Sequence, residues 1–169
     1  MSVTTPKHAA CFLLLAWIVL LPRANALAQQ TPAQALAEWN AQGRADGLAR
    51  PDTPCQDFLQ AINRRPDSLE YLGCSQDDAS YIKPMEARYR VAGARAAEVE
   101  AYLHATFGMP LLRYVCCGWS NGAPYYWREG PQAVRYQIDM GVESLPHARN
   151  EWQRIEAFNV TVAVMRQSP

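Results

Sequence analysis

Four cysteines downstream of residue 28 are the residues of this chain best suited to chemistry. Cys116 and Cys117 are adjacent, and Cys55 and Cys74 lie nearer the N-terminus. Cysteine thiols form disulfides, bind metals or exchange electrons. Zinc and redox sites typically space their cysteines as Cys-x-x-Cys, and this chain has no such spacing. The pattern therefore favours two structural disulfides over a metal or redox site.

The pairing of these cysteines is constrained by strand geometry. Adjacent residues of a strand point to opposite faces, so Cys116 and Cys117 would bind different partners. Cys55 lies on an apolar helical stripe, and Cys116 shares a strand face with Tyr114. This favours Cys55–Cys116 with Cys74–Cys117, and the swapped pairing, Cys55–Cys117 with Cys74–Cys116, remains open. A Cys116–Cys117 bond is discounted because it closes a strained eight-membered ring.

The first 28 residues predict an export signal. A short basic stretch at Lys7-His8 precedes an apolar run over residues 9–21, and Ala26-Leu27-Ala28 has the small-x-small pattern of a cleavage site. The run is shorter than the about 20 residues that a membrane-spanning helix needs. We therefore expect cleavage after Ala28 and a periplasmic or secreted protein with no stable membrane anchor.

Net charge and composition limit the classes of partner that are expected. Residues 29–169 contain 14 basic and 16 acidic residues, a net charge of −2. Nucleic-acid-binding domains carry a basic excess, so nucleic acid is not an expected partner. Lys83 is the single lysine of this region against 13 arginines. This bias, together with the many alanines, is typical of a GC-rich bacterial genome.

Candidate catalytic residues are scarce in this sequence. His104 and His147 are the two histidines after residue 28, and neither has a known catalytic spacing to a serine or an acid. Asp57 near the start of a predicted helix is best interpreted as a capping residue. We therefore predict no catalytic residues, no metal site and no cofactor.

An aromatic segment over residues 119–130 is the best candidate for binding. Asn, Gly and Pro in this segment predict a loop or hairpin tip. Exposed aromatic and arginine side chains are typical anchors of protein interfaces. The candidate binding residues are Trp119, Tyr125, Tyr126, Trp127 and Arg128. The alternatives are that these rings pack over the sheet edge as core, or that they stack on the sugars of peptidoglycan.

Periodicity predicts an α+β fold. Apolar spacing predicts helices near residues 55–62 and 94–107, the second ending at Gly108. Strands are predicted at residues 69–74, 85–91, 111–117, 134–140 and 158–164. We expect a mostly antiparallel sheet of about five strands with helices packed on one face and disulfides as staples. Residues 29–54 are assigned to an N-terminal helix and linker, and residues 55–169 to a single domain.

Several motifs together resemble a known family. They are Cys55-x-Asp57-Phe58-Leu59, Phe107-Gly108-Met109 and Val115-Cys116-Cys117-Gly118-Trp119. This pattern is similar to that of a family of small exported bacterial domains of unknown function, over about residues 55–165. The resemblance implies an extracytoplasmic α+β domain, and it implies no catalytic residue.

These features predict a non-enzymatic periplasmic binding protein. The expected partner is a protein, and the expected role is that of an inhibitor or immunity protein that neutralises a secreted toxin or a cell-wall-active enzyme. The alternatives are an enzyme with an unrecognised site, which would cluster titratable groups in a cleft, and a small-ligand or glycan-binding module, which would have a deep pocket.

Overall fold

A computed structural model describes residue 37, residues 43–131, residues 133–144 and residues 146–168. The predicted signal peptide lies outside the described residues, as does most of the predicted N-terminal helix. No helix in the described part of the chain is long and apolar enough to span a membrane.

The domain is built from one antiparallel sheet of seven strands, with a few helices. The strands are β1 (Glu70–Gln76), β2 (Pro84–Ala92), β3 (Arg113–Val115), β4 (Gly118–Ser120), β5 (Tyr125–Trp127), β6 (Tyr136–Glu143) and β7 (Ala157–Met165). The helices are α1 (Phe58–Ala61), α2 (Gly93–Phe107) and a 3₁₀ helix (Arg149–Arg154). The strand order is β1-β2-β7-β6-β4-β3, and β5 also pairs with β6. The predicted α+β class is confirmed, and the predicted number of about five strands is too low.

The two extra strands come from the aromatic segment, which was predicted to be a loop. β4 and β5 lie end to end along β6, because Ser120 pairs with Gly141 and Tyr125 pairs with Ile138. The four residues between them bulge out of the ladder. The Asn121 side chain fills the gap: its carbonyl oxygen accepts from the Met140 N–H at 3.2 Å. The segment is therefore one interrupted strand rather than a free hairpin tip.

Helix α2 matches its prediction closely. It ends at Gly108, whose φ of 82° is left-handed and whose N–H donates to the His104 carbonyl oxygen. Its buried apolar residues recur at helical spacing and belong to the same core cluster as the buried residues of the sheet. These helix residues are Ala96, Val99, Leu103 and Phe107.

The core is centred on β7, the middle strand of the sheet. Its alternate residues Phe158, Val160, Val162 and Val164 are fully buried, whereas Asn159 between them is exposed. β2 shows the same alternation, with Met85 and Tyr89 buried and Arg88 exposed. A period of two places the buried residues on one face, so the other face carries the polar side chains.

The N-terminal segment is joined to the sheet through Asp57 and Tyr89. Asp57 caps α1 by accepting from the Gln60 N–H, and it also accepts from the Tyr89 hydroxyl at 2.9 Å. Burial, followed by the hydrogen bond to Asp57, raises the pKa of Tyr89. The capping role predicted for Asp57 is confirmed.

Part of the segment assigned to a linker also packs on the sheet. Ala49 is fully buried in the core cluster, and its N–H donates to the Met165 carbonyl oxygen at 2.8 Å. The Arg135 N–H donates to the Gly47 carbonyl oxygen at 2.7 Å. Residues 47–49 therefore contribute directly to the stability of the sheet domain.

The disulfide pairing differs from both predicted pairings. Cys55 is bonded to Cys74 across a Cα–Cα distance of 5.5 Å, and Cys116 and Cys117 are exposed free thiols. The prediction failed because β3 ends at Val115, so Cys116 lies in a turn and does not continue the alternation of the strand.

The Cys55–Cys74 bridge is expected to stabilise the domain substantially. It links residues 19 apart in sequence, and a loop of this size lowers the entropy of the unfolded chain. Replacing both cysteines with alanine should lower the free energy of unfolding by about 3 kcal/mol, measured by urea denaturation. Cys116→Ser is the control and should change this free energy by less than about 0.5 kcal/mol, since it alters an exposed turn. An equal loss in the control would contradict the observed pairing.

Candidate binding groove on the open sheet face

Three neighbouring strands carry polar side chains on the sheet face that α2 does not cover. Arg88 of β2 lies opposite Thr161 of β7, and Thr161 lies opposite Asp139 of β6. Two flanking rows follow the same register: Arg90, Asn159, Gly141 and Ser120 on one side, and Glu86, Ala163, Gln137 and Tyr126 on the other. This open face therefore presents aligned polar groups from adjacent strands.

The open face is hollowed into a groove. A cavity of about 550 Å³ is lined by Leu72, Arg88, Asn159 and Thr161, among others. A second hollow of about 340 Å³ continues from Asn159 and Thr161 to the bulge between β4 and β5. Because the two hollows share residues, they form one depression across the sheet, which we call the open-face groove. Volumes in this range are typical of ligand sites.

Backbone irregularities shape the groove at both ends. Leu72 lies at a register shift between β1 and β2, and its side chain is 50% exposed at one rim. Gly141 forms part of the floor at the other end, where a Cβ atom would lie 2.6 Å from the Trp119 carbonyl oxygen. A residue with a side chain would require the backbone to move at Gly141. The floor of the groove therefore has no side chain at this position.

The electrostatics of the groove suit binding. Among the described residues no carboxylate pairs with Arg88, whereas the neighbouring Arg90 pairs with Glu70 at 3.0 Å. The Asp139 carboxylate accepts from the Gln137 amide at 2.7 Å and from the Asn121 amide at 3.2 Å. These amides fix the carboxylate in place at the groove. The groove thus offers a cation, an oriented anion and neutral hydrogen-bonding groups between them.

The usual metal-binding side chains are scattered over the described residues and are not gathered at one site. Within the described ranges, no cluster of three or more His, Cys, Asp or Glu side chains is placed to bind a metal ion. His104 lies on α2, where its Nδ1 is 2.8 Å from the Met109 carbonyl oxygen, and His147 packs against the Tyr114 ring. Neither histidine lines the open-face groove.

Comparison with known proteins supplies a family for the N-terminal part of this fold. Residues 43–119 match the DUF4952 family, a domain of unknown function. No curated protein and no solved structure matches the chain. The suspected relation to a family of unknown function is therefore confirmed for this segment.

The DUF4952 segment contributes only part of the groove. It contains β1, β2 and α2 and all four cysteines of the disulfide and the turn. Arg88 and Leu72 lie inside it, whereas Asp139, Asn159 and Thr161 lie beyond its end. The groove thus combines the DUF4952 segment with the two strands that complete the sheet.

The structure separates the five predicted binding residues. Trp119 is 6% exposed and donates from its indole N–H to the Pro146 carbonyl oxygen. The Tyr125 hydroxyl donates to the Phe107 carbonyl oxygen at 2.6 Å. Both side chains therefore pack with the core side of the sheet, as the alternative interpretation of this segment proposed.

The other three residues differ in exposure. Trp127 packs edge-on against Phe107, with ring centroids 5.0 Å apart. Tyr126, between the two packed aromatics, is 49% exposed and faces the open side in the same row as Gln137. Arg128 is exposed and donates to backbone carbonyl oxygens at 3.2 Å. Tyr126 is the aromatic residue of the set that lies beside the open-face groove.

The groove residues could be found only in part from the sequence. The alternation of Arg88 and Asp139 with apolar neighbours marks both as solvent-facing strand residues. Their meeting across β7 depends on which strands pair and in what register. The sequence therefore identifies the exposed residues of each strand, but it does not show that Arg88 and Asp139 lie on either side of the same residue of β7.

Proposed function

We propose that this protein is a non-enzymatic binding protein that holds a segment of a partner protein in the open-face groove. The proposed partner is an exported toxin or cell-wall-active enzyme, which the protein neutralises as an inhibitor or immunity protein. The observation that carries the proposal is the row Arg88–Thr161–Asp139, which crosses three strands at the floor and rim of the groove.

The spacing of the charges favours a polypeptide as the ligand. Arg88 and Asp139 are two strands apart, which corresponds to about 10 Å at the usual strand spacing. An extended chain rises about 3.3 Å per residue and turns every second side chain to the same side. An acidic and a basic side chain two or four residues apart would therefore both face the groove and could meet this pair. Thr161 between them offers a hydroxyl to the backbone of such a segment. A neutral glycan would leave both charges unmatched.

Tyr126 extends the proposed binding surface. Its ring is exposed beside the groove, and the Arg135 guanidinium lies 5.1 Å from its centroid, which limits the motion of both side chains. An ordered aromatic ring at the rim provides apolar contact area at low cost in conformational entropy.

The proposed extracytoplasmic location has separate support. Disulfides persist mainly in oxidising compartments, and the domain contains the Cys55–Cys74 bridge. The predicted export signal over residues 1–28 agrees with this location. We therefore place the proposed partner in the periplasm or outside the cell.

Site-directed photo-crosslinking tests this function. A photoreactive amino acid at position 161 of the full chain, expressed in its own cells, should give an adduct with one protein. The same group at position 101, on the exposed face of α2, should not. Thr161→Arg should weaken binding of that protein at least tenfold by filling the groove, while Ala101→Arg should leave it unchanged.

Two results would overturn the proposal. Equal adducts from positions 161 and 101 would show that the open face is not the binding surface. Adducts with peptidoglycan at position 161 would favour the glycan-binding alternative. The urea midpoint of Thr161→Arg, compared with that of Ala101→Arg, confirms that any loss of binding is not a loss of folding.

A further inference from the structure

The turn between β3 and β4 contains two cysteines and no other residue. Val115 pairs with Gly118, so Cys116 and Cys117 form a two-residue hairpin turn. The Cys117 N–H donates to the Val115 carbonyl oxygen at 2.7 Å, and Cys116 has a φ of 56°. Such turns usually place Gly, Asn or Asp at a positive φ, because other side chains are strained there. The turn therefore keeps Cys116 in a backbone conformation that is strained for a cysteine.

The two thiols are accessible and adjacent in the chain. Both cysteines are exposed. A hydrogen bond to Cys116 is the main cause that raises the pKa of the Cys117 thiol, followed by burial and the negative charge of Glu143. The two thiols are therefore neighbours in one exposed turn, where a single disulfide can reach both.

We propose that Cys116 and Cys117 form a redox-active dithiol site that exchanges with disulfides and closes reversibly to a Cys116–Cys117 disulfide. The site is distinct from the open-face groove and does not depend on the proposed binding function. Its co-substrate is a disulfide of a small thiol or of a protein.

The exchange proceeds in two balanced steps. The Cys116 thiolate attacks a disulfide R–S–S–R, which forms a mixed disulfide and releases one thiolate R–S⁻. The Cys117 thiol then loses its proton to the released thiolate and attacks the Cys116 sulfur. The Cys116–Cys117 bond forms, and the second R–S⁻ leaves. Two electrons pass from the pair to the incoming disulfide, which is reduced to two thiols.

The eight-membered ring makes this bond labile. The ring contains the peptide bond between the two cysteines, and its strain favours reduction. Strained, exposed disulfides have higher reduction potentials than structural ones and are typical of regulatory sites. The half-buried Cys55–Cys74 bridge, packed against the core, should remain closed under conditions that open the ring.

Closure of the Cys116–Cys117 ring should change the conformation of the loop that follows β6. The Cys117 carbonyl oxygen accepts from the Ser144 N–H at 2.9 Å, and the Tyr114 hydroxyl donates to the Ser144 carbonyl oxygen at 3.1 Å. Closing the ring reorients the Cys116–Cys117 peptide and changes the backbone torsions at Cys117, which moves the adjoining Cys117 carbonyl that Ser144 contacts. Tyr114 packs on Trp119 at 5.6 Å, so the indole fluorescence should report this change.

The test is a redox titration of the full chain carrying Cys11→Ser. The protein is equilibrated with glutathione buffers of increasing disulfide fraction, acid-quenched, labelled with a maleimide and weighed by mass spectrometry. Labels per chain should fall from two to none, with no glutathione adduct and with a mass lower by two hydrogens. Cys116→Ser and Cys117→Ser are the controls, and each should instead gain a glutathione adduct.

Other patterns of oxidation would overturn the inference. A wild-type chain that accumulates glutathione adducts, links to a second chain, or keeps both labels in the most oxidising buffer lacks the proposed site. Opening of Cys55–Cys74 before Cys116–Cys117 would also overturn it. Far-UV circular dichroism of each variant confirms that the hairpin variants remain folded.

Discussion

Replacing Glu100 with alanine should lower the free energy of unfolding by about 3 kcal/mol. Glu100 on α2 is 4% exposed, yet it carries a charge. Breaking a buried ion pair by removing one partner is costly, because the remaining charge loses its counter-ion. Urea denaturation followed by circular dichroism measures the loss.

The contacts of the Glu100 carboxylate explain the size of the expected loss in the free energy of unfolding. Its carboxylate accepts from the Leu112 N–H at 2.5 Å and from two nitrogens of Arg149, one of them at 2.9 Å. The Arg149 guanidinium also lies 4.7 Å from the Trp152 ring and 5.3 Å from the Trp119 ring. Because the Arg149 side chain is 44% exposed, it can rehydrate in the variant, which places the loss at the lower end of the usual range.

Glu98 provides the matched control on the same helix. It pairs with Arg95 in an exposed contact, with 58% of its side chain accessible. Exposed pairs contribute about 0–1 kcal/mol, so Glu98→Ala should change the free energy of unfolding by no more than that. A similar loss in both variants would show that the contact of Glu100 with Arg149 of the 3₁₀ helix does not contribute more than an exposed ion pair.

Trp127→Ala should destabilise the domain by about 3 kcal/mol, near the lower end for a large aromatic residue. The Trp127 ring contacts Phe107 of α2 edge-on and lies 5.8 Å from the Tyr136 ring. The Arg64 guanidinium lies 5.1 Å from its centroid. Removal of the indole would leave a gap between α2 and the sheet edge, which lowers the urea midpoint.

Tyr126→Ala is the control for this prediction. Tyr126 is the preceding residue of β5 but points to the open side. Its contact with Arg135 contributes about 0.5–1 kcal/mol, so the variant should lose no more than this. If Tyr126→Ala destabilised the domain as much as Trp127→Ala, the two faces of β5 would have been assigned wrongly.

The strongly periodic elements could be predicted from the sequence. Alternation marked the strands that became β2, β6 and β7, and the helical stripe ending at Gly108 marked α2. In these segments the local pattern and the tertiary environment agree, since each buries one face or stripe against the same core.

Segments whose conformation depends on residues distant in the sequence could not be predicted. Residues 121–124 have turn composition, yet pairing along β6 on both sides makes them a bulge within a strand. Cys116 adopts a positive φ that its residue type disfavours, so no local signal marks the end of β3. The Cys55–Cys74 bond requires the N-terminal segment and β1 to meet, which depends on the packing of the whole sheet.

The position of β7 determines when the protein can fold. This strand is the last in the sequence, but it lies in the middle of the sheet and joins β2 to β6. Before residues 157–165 leave the ribosome, the β1–β2 hairpin and the strands around β6 have no shared neighbour. Their buried rows then lack the adjoining row of valines and phenylalanine on β7, so the long-range pairs of the sheet cannot form. A nascent chain therefore cannot complete this sheet until residues 157–165 have been synthesised and released from the ribosome.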